Sequence, residues 1–310
     1  MLRKMKALLF PLLVGVAIVG AASPVGAGGV VVIMAADVDE YRKALRGFKQ
    51  TVRDDIIAEY DMEGDFKRGP KILDEIRSKT KPDLILAIGV WALEVVASHT
   101  MDVPVVYAMV VNPPSIVKAG ANITGASMNV PVEQSILLFK QLSPQVRRVG
   151  MLYSPAKTGY LVRDAEAVAR EHGIQLVTRE VRSPKEAIPA LETLQEAVDA
   201  LWILPDETVL APAVVQQMLL LSYRKKLPLL GLSEAQARMG ALLSLSFASG
   251  EDIGRQAGDL ANSILAGKAA AAVPYTTARQ VKLTVNLKAA QKLGLAIPKS
   301  ILDRANTIIQ

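Results

Sequence analysis

The chain has 310 residues, 51% of them hydrophobic, two histidines, no cysteine and a formal charge of +6. That length suits two domains of ordinary size. Lack of cysteine excludes disulfides, thiolate metal sites, cysteine nucleophiles and lipid attachment through an N-terminal cysteine.

The first residues read as a secretory signal. Arg3, Lys4 and Lys6 form a positive region, Ala7 to Gly20 an apolar one, and Val25-Gly26-Ala27 a small-residue cleavage site. Cleavage after Ala27 is expected, releasing a periplasmic protein, because the apolar run is short for a membrane span and Pro11 interrupts it. Residues 1–27 hold three basic and no acidic residues, so the formal charge falls to +3 without them. No basic block with interleaved aromatics remains, which argues against nucleic-acid binding.

From there short apolar runs alternate with helical spacing. Val30 to Ala36 reads as a buried strand ending at Asp37-Val38-Asp39, followed by a helix marked by Tyr41, Leu45 and Phe48. Ile56 to Tyr60 is a strand and Pro70 to Ser78 a helix. Leu84 to Ile88, a Gly89 turn, a helix from Trp91 to His99 and a strand from Val103 to Met109 then lead to the turn Asn112-Pro113-Pro114. Buried runs separated by helix-length segments predict a parallel sheet covered on both faces, with ligands beyond the carboxyl ends of its strands.

Asn122-Ile123-Thr124-Gly125 breaks this pattern, and Pro131 to Leu142 starts a helix leading to a second series. Strands are predicted at Arg148 to Tyr153, Ile174 to Val181, Ala200 to Leu204, Pro228 to Leu230 and Gly240 to Phe247, with helices at Gly159 to Glu171, Ile188 to Glu196 and Pro212 to Lys225. Ile253 to Leu265 is an amphipathic helix. Val281 to Val285 is a last strand, followed by a helix at Leu287 to Leu293. The fold class is therefore α/β: two Rossmann-like (flavodoxin-like) lobes with parallel sheets, a multi-crossover hinge and a ligand cleft between them. The N-terminal lobe is expected at 28–121 plus 248–280, and the C-terminal lobe at 122–247 plus 281–310.

Catalysis has little support. His99 and His172 each end a predicted helix, where a histidine most simply meets the carbonyls and the negative end of the dipole. There is no G-x-S-x-G elbow, Walker loop or G-x-G-x-x-G after a strand, and no cofactor or metal is expected. The strand ends instead carry polar sets: Asp37 with Asp39, Asn112, Ser154 with Lys157 and Thr158, Asp206 with Glu207 and Thr208, and Ser233 with Glu234. Thr208, Ser233 and Asp206 also suit helix N-caps. Trp91 suits either stacking on a ligand or covering the core, and Trp202 the core.

Several phrases together carry a resemblance: KPDLILAIGVWALE, VPVVYAMVVNPP, NITGAS at 122–127, RRVGMLYSP at 147–155, ALWILPDETV at 200–209 and LTVNLKAAQKLGLAIPKSIL at 283–302. They resemble substrate-binding proteins of ABC importers in the tryptophan and tyrosine binding group, with the type I periplasmic-binding-protein fold. That resemblance implies a non-catalytic monomer that closes on a small ligand and delivers it to a permease in the inner membrane. By position it puts Val90, Trp91, Asn112, the 154–160 loop with Tyr160, Asp206 to Thr208 and Ser233 on ligand loops. The family usually offers Thr where Val90 stands, Asp-Pro where Asn112-Pro113 stands, and an acid-x-Asn-Ser run where Lys157-Thr158-Gly159-Tyr160 stands. The expected ligand is an amino acid or related carboxylate, of anionic or less zwitterionic character, contacted by Lys157 and Tyr160. The alternative is a binding fold used for signalling or as a scaffold without transport.

Overall fold

A computed structural model describes residues 29–99 and 102–310, so the expected signal segment lies outside the described residues. The first lobe runs β1 (Val30–Met34), α1 (Asp39–Thr51), β2 (Ile56–Asp61), α2 (Arg68–Lys79), β3 (Leu84–Ile88), α3 (Val90–Ser98), β4 (Val105–Val110) and β5 (Ile123–Ser127). Its strands pair in parallel in the order β2-β1-β3-β4-β5. VVVIM in β1 and LILAI in β3 are apolar throughout because helices cover both faces.

The second lobe follows with α4 (Val132–Leu142), β6 (Arg148–Tyr153), α5 (Pro155–Glu171), β7 (Gln175–Glu180), α6 (Pro184–Leu194) and β8 (Ala200–Trp202). It continues through α7 (Pro212–Lys225), β9 (Leu229–Gly231), α8 (Glu234–Met239) and β10 (Leu243–Phe247). The chain then returns to the first lobe as α9 (Gly250–Leu265). It comes back to the second as β11 (Val281–Asn286), α10 (Leu287–Leu293), α11 (Lys299–Leu302) and β12 (Thr307–Ile309). The second sheet has the order β12-β11-β10-β9-β8-β6-β7.

Three expectations are corrected. Residues 123–127 continue the first sheet as β5, so the chain leaves that lobe after Ser127 and not at residue 122. The strand is an edge one, and its Thr and Gly lack the apolar run that marks the buried strands. Second, β11 runs antiparallel to β10. Phe247 leaves the sheet toward the hinge beside the point where Val281 enters it, so the incoming strand must run the opposite way. Third, α6 starts at Pro184, ahead of the expected Ile188, with Pro at a helix start where its missing N–H costs nothing.

The lobes are joined by three chain crossings, near 128–131, 247–250 and 276–281, and these are tied to one another. Ala278 N donates to Asn129 O at 2.9 Å and Ala248 N to Gln280 O at 2.9 Å. Gln256, 2% exposed on α9, holds the third crossing: Nε2 donates to Thr276 Oγ1 and Thr277 O, while Oε1 accepts from Arg279 N at 2.9 Å.

Helix α9 lies directly on α1, and glycine makes that approach possible. A Cβ at Gly254 would overlap the Ala44 carbonyl, and one at Gly47 the Glu251 carbonyl. Both obstacles are backbone and cannot rotate away. Gly254→Ala is therefore expected to destabilise the protein by about 2 kcal/mol despite alanine's better helix propensity. Urea denaturation checks this; an unchanged or raised midpoint would show that the helices can separate at no cost.

Candidate functional site

The carboxyl ends of both sheets face a cleft, and backbone geometry aims the first lobe's contribution. Gly89 (φ 92°) starts α3 from β3, where a side chain would strike Tyr41. At the end of β4, Met109 is left-handed (φ 58°) and the register with β5 shifts, so the strand bulges before Val111. Asn112 is left-handed as well (φ 50°) and begins the short 3-10 turn Pro113–Ser115. Non-glycine residues held there cost of order 1 kcal/mol each, persisting where surrounding contacts over-determine them.

Those contacts form a bridge between the lobes. Tyr160 Oη from the second lobe donates to Asn112 Oδ1 at 2.9 Å, and Asn129 Nδ2 donates to the same oxygen at 3.0 Å. Asn129 Nδ2 also donates to Tyr160 Oη at 2.9 Å, while its Oδ1 accepts from Asn112 N at 3.2 Å. Asn112 Nδ2 closes the set by donating to Pro205 O on the second lobe. Asn129 sits on the first hinge crossing, so bridge and hinge are one structure.

On the second lobe a fully buried carboxylate shapes the loops. Asp206 Oδ2 accepts from Ser154 N at 2.8 Å and Thr158 Oγ1 at 2.6 Å, and Oδ1 accepts from Thr208 N at 2.9 Å. It pins the start of α5 to the loop after β8. Its polar atoms, and those of the fully buried Thr158, are thus engaged within the lobe. Neither Asp206 nor Thr208 caps a helix; Ser233 does, accepting from Gln236 N on α8.

Two cavities flank the bridge. One, of about 280 Å³, is lined by Val90, Glu94, Asn112, Ser115 and Ile116 of the first lobe and by Lys157, Pro205, Glu207 and Leu210 of the second. The other, of about 270 Å³, is apolar, with Met128, Leu210, Leu232, Leu245 and Phe247 beside Ser233. Lys157 Nζ lies 3.3 Å from Glu207 Oε2. The structure thus brings Val90, Asn112, Lys157 and Glu207 around one cavity and Ser233 to the other, and commits Tyr160 to the bridge. Asp37 is paired with Arg42 at 2.7 Å and Glu234 with Arg238 at 2.5 Å, both as exposed ion pairs. Trp91 is 45% exposed on the first turn of α3, whereas Trp202 is core, edge-on to Phe139. His99 Nδ1 lies 2.8 Å from Val95 O at the end of α3. Sequence reasoning missed Glu94, Asn129 and Pro205.

Two α/β lobes joined by three crossings, with the cleft at the carboxyl ends of both sheets, define a type I periplasmic-binding-protein fold. Residues 29–309 match the family described as ABC transporter substrate binding protein, and the chain belongs to that family. A tyrosine-binding protein of Clostridioides difficile is 23% identical over 214 residues, covering 66% of this chain and 61% of that relative, so the match spans less than two thirds of its length. The ABC domain from Streptococcus pneumoniae in complex with L-Trp is 25% identical, with a TM-score of 0.63, covering 91% of this chain and 99% of that one. A ligand-free, open substrate binding protein with adhesive properties from Clostridium difficile shares the fold, at 19% identity and a TM-score of 0.68, over 91% of this chain and 99% of that one. The family and these neighbours are ligand-binding proteins, not enzymes. Proteins of the family are extracellular or periplasmic, and among the described residues no helix is long and apolar enough to cross a membrane.

Two predictions concern this site. Asp206→Ala leaves Ser154 N and Thr158 Oγ1 buried without an acceptor, and is expected to cost about 3 kcal/mol, read by urea denaturation. A loss below about 1 kcal/mol would show that those donors find other partners. The second concerns Tyr160, whose hydroxyl is pushed up in pKa by burial and by nearby Tyr275, against a smaller opposing effect of the Asn129 hydrogen bond. The folded state then holds the proton more tightly than the unfolded one. Stability is fully present below the ordinary tyrosine value of about 10 and falls as pH rises from there through the raised value. Tyr160→Phe is expected to flatten part of that alkaline slope in stability measured from pH 8 to 12; an unaltered slope would contradict it.

Proposed function

We propose that this protein is the solute-capturing component of an ABC importer, closing its two lobes on an amino acid with an apolar side chain. One observation carries the reading: a cavity between the lobes presents Lys157 and Glu207 of the second lobe opposite Glu94 of the first, so charges of both signs meet there. A lysine suits a ligand carboxylate and the two acids an ammonium group. The apolar cavity across the bridge suits a hydrophobic side chain. Two carboxylates against one cation weigh against the purely anionic ligand expected from Lys157 and Tyr160, the more so since Tyr160 is engaged in the bridge. The tyrosine-binding relative and the L-Trp complex support an amino acid here.

Capture by closure needs only that the ligand bind the closed arrangement more tightly than the open one. A ligand touching Glu94 from one lobe and Lys157 from the other does so in the closed state alone. The closed form would then be presented to a membrane permease, with the expected signal segment placing the protein in the periplasm.

Thermal denaturation against amino acids, their deaminated carboxylates and their amides tests the reading. An amino acid at a hundred times its dissociation constant should add about 2.7 kcal/mol of stability. Lys157→Met and Glu94→Gln should each weaken that ligand about tenfold. Equal stabilisation by the deaminated acids would overturn the zwitterion, and no stabilisation by any of them would favour a scaffold without transport.

A further inference from the structure

A third cavity, of about 350 Å³, lies outside the cleft, on the edge of the first lobe where the outer side of β5 is bridged only at its far end, Ala126 to Thr276. It is larger than either cavity beside the bridge. Tyr107 of β4 and Thr124 of β5 form its inner wall, Pro113 and Val117 of the loop after β4 one side, and Tyr275 of the third hinge crossing the other. The wall is mostly apolar and aromatic, with two departures.

The first is Thr124. Its side chain is 2% exposed, yet Oγ1 has no hydrogen-bond partner. Buried hydroxyls are nearly always paired and leaving one unpaired is costly, but this oxygen is itself closed off from the cavity, so Thr124 lends the wall its bulk and not its hydroxyl. The second is Lys118, exposed at the rim and without an ion pair among the described residues. A largely apolar, aromatic slot with one cation at its mouth has a definite chemical complement.

We propose that this edge cavity is a second small-molecule site, taking an apolar or aromatic carboxylate whose body lies against Tyr107 and Tyr275 and whose carboxylate meets Lys118. Its position gives the site a consequence. One short turn separates it from the cleft: Asn112 and Ser115 line the cleft cavity, while Pro113 and Pro114 line the edge cavity. Tyr275 precedes Thr276, which Gln256 holds in the hinge. Occupancy therefore braces both the turn that carries Asn112 and the third crossing, and couples this site to lobe closure; by reciprocity, closure alters its affinity equally.

The test uses 4-hydroxyphenylacetate and its uncharged amide as probes, followed through backbone amide resonances of the ¹⁵N-labelled protein. Signals report each cavity separately, so failure here is distinguishable from failure of the cleft reading. Saturable shifts are expected at Val117, Lys118, Thr124 and Tyr275. The amide probe should bind roughly three- to tenfold more weakly, and Lys118→Gln should abolish that difference. Thr124→Val, of the same shape, should leave both probes bound within about twofold and the unliganded protein at least as stable, because it removes an unpaired hydroxyl that the cavity does not reach. Shifts confined to cleft residues such as Glu94 and Glu207, or none at millimolar probe, would overturn the site. Binding at the edge indifferent to Lys118→Gln would overturn the carboxylate assignment.

Discussion

The arrangement of this protein depends on four polar groups from two lobes satisfying one another in a closing cleft. Asn112, Asn129, Tyr160 and the Pro205 carbonyl exchange hydrogen bonds where water would otherwise have to serve. Such an exchange is nearly balanced in free energy, since each protein–protein bond replaces bonds to water. A bridge of this kind holds the two lobes in this arrangement without locking them. In the proposed capture by closure, the ligand's differential affinity is then free to decide the population.

Much of the remaining structure serves to keep that bridge in register. The left-handed turns at Met109 and Asn112 deliver the Asn112 side chain to the second lobe, and the buried Asp206 holds the start of α5 so that Tyr160 can meet it. Gln256 and the backbone bonds among the three crossings make the hinge a small sheet-like unit instead of three loose linkers. Closely packed α1 and α9 lock the return helix to the first lobe through backbone contact at glycines.

The sequence disclosed those parts that local chemistry alone specifies. Continuous apolar runs announced β1 and β3, and Gly89 after β3 announced a turn, which takes a positive φ in the structure. Pro212 and Lys225 bounded α7 as the residues suggested. Edge position hid β5, because a strand paired on one side tolerates Thr and Gly where a central strand would carry valine or isoleucine. Site residues were legible only as strand-end neighbours. Val90, Asn112, Lys157 and Glu207 could be grouped from topology, yet nothing local separates the inward-facing Lys157 from Asp37, which merely pairs with Arg42. Asn129 and Gln256 went unread because nothing in their local sequence marks them, and their roles arise from segments distant in the chain. Glu94 stands on α3 with no local mark of function; only the approach of the second lobe makes it part of a cavity.

Closure biased by ligand is the central claim, and an interlobe distance tests it most directly. The chain has no cysteine, so Lys71→Cys on α2 and Glu192→Cys on α6, both exposed, accept a single pair of spin labels without background. Pulsed electron resonance should give a broad or two-peaked distance distribution in the unliganded protein. A single narrow peak should replace it at saturating amino acid, and Asn112→Ala should shift the unliganded distribution toward the open peak. One distribution, unchanged by a ligand shown to be bound and by the bridge variant, would contradict the account.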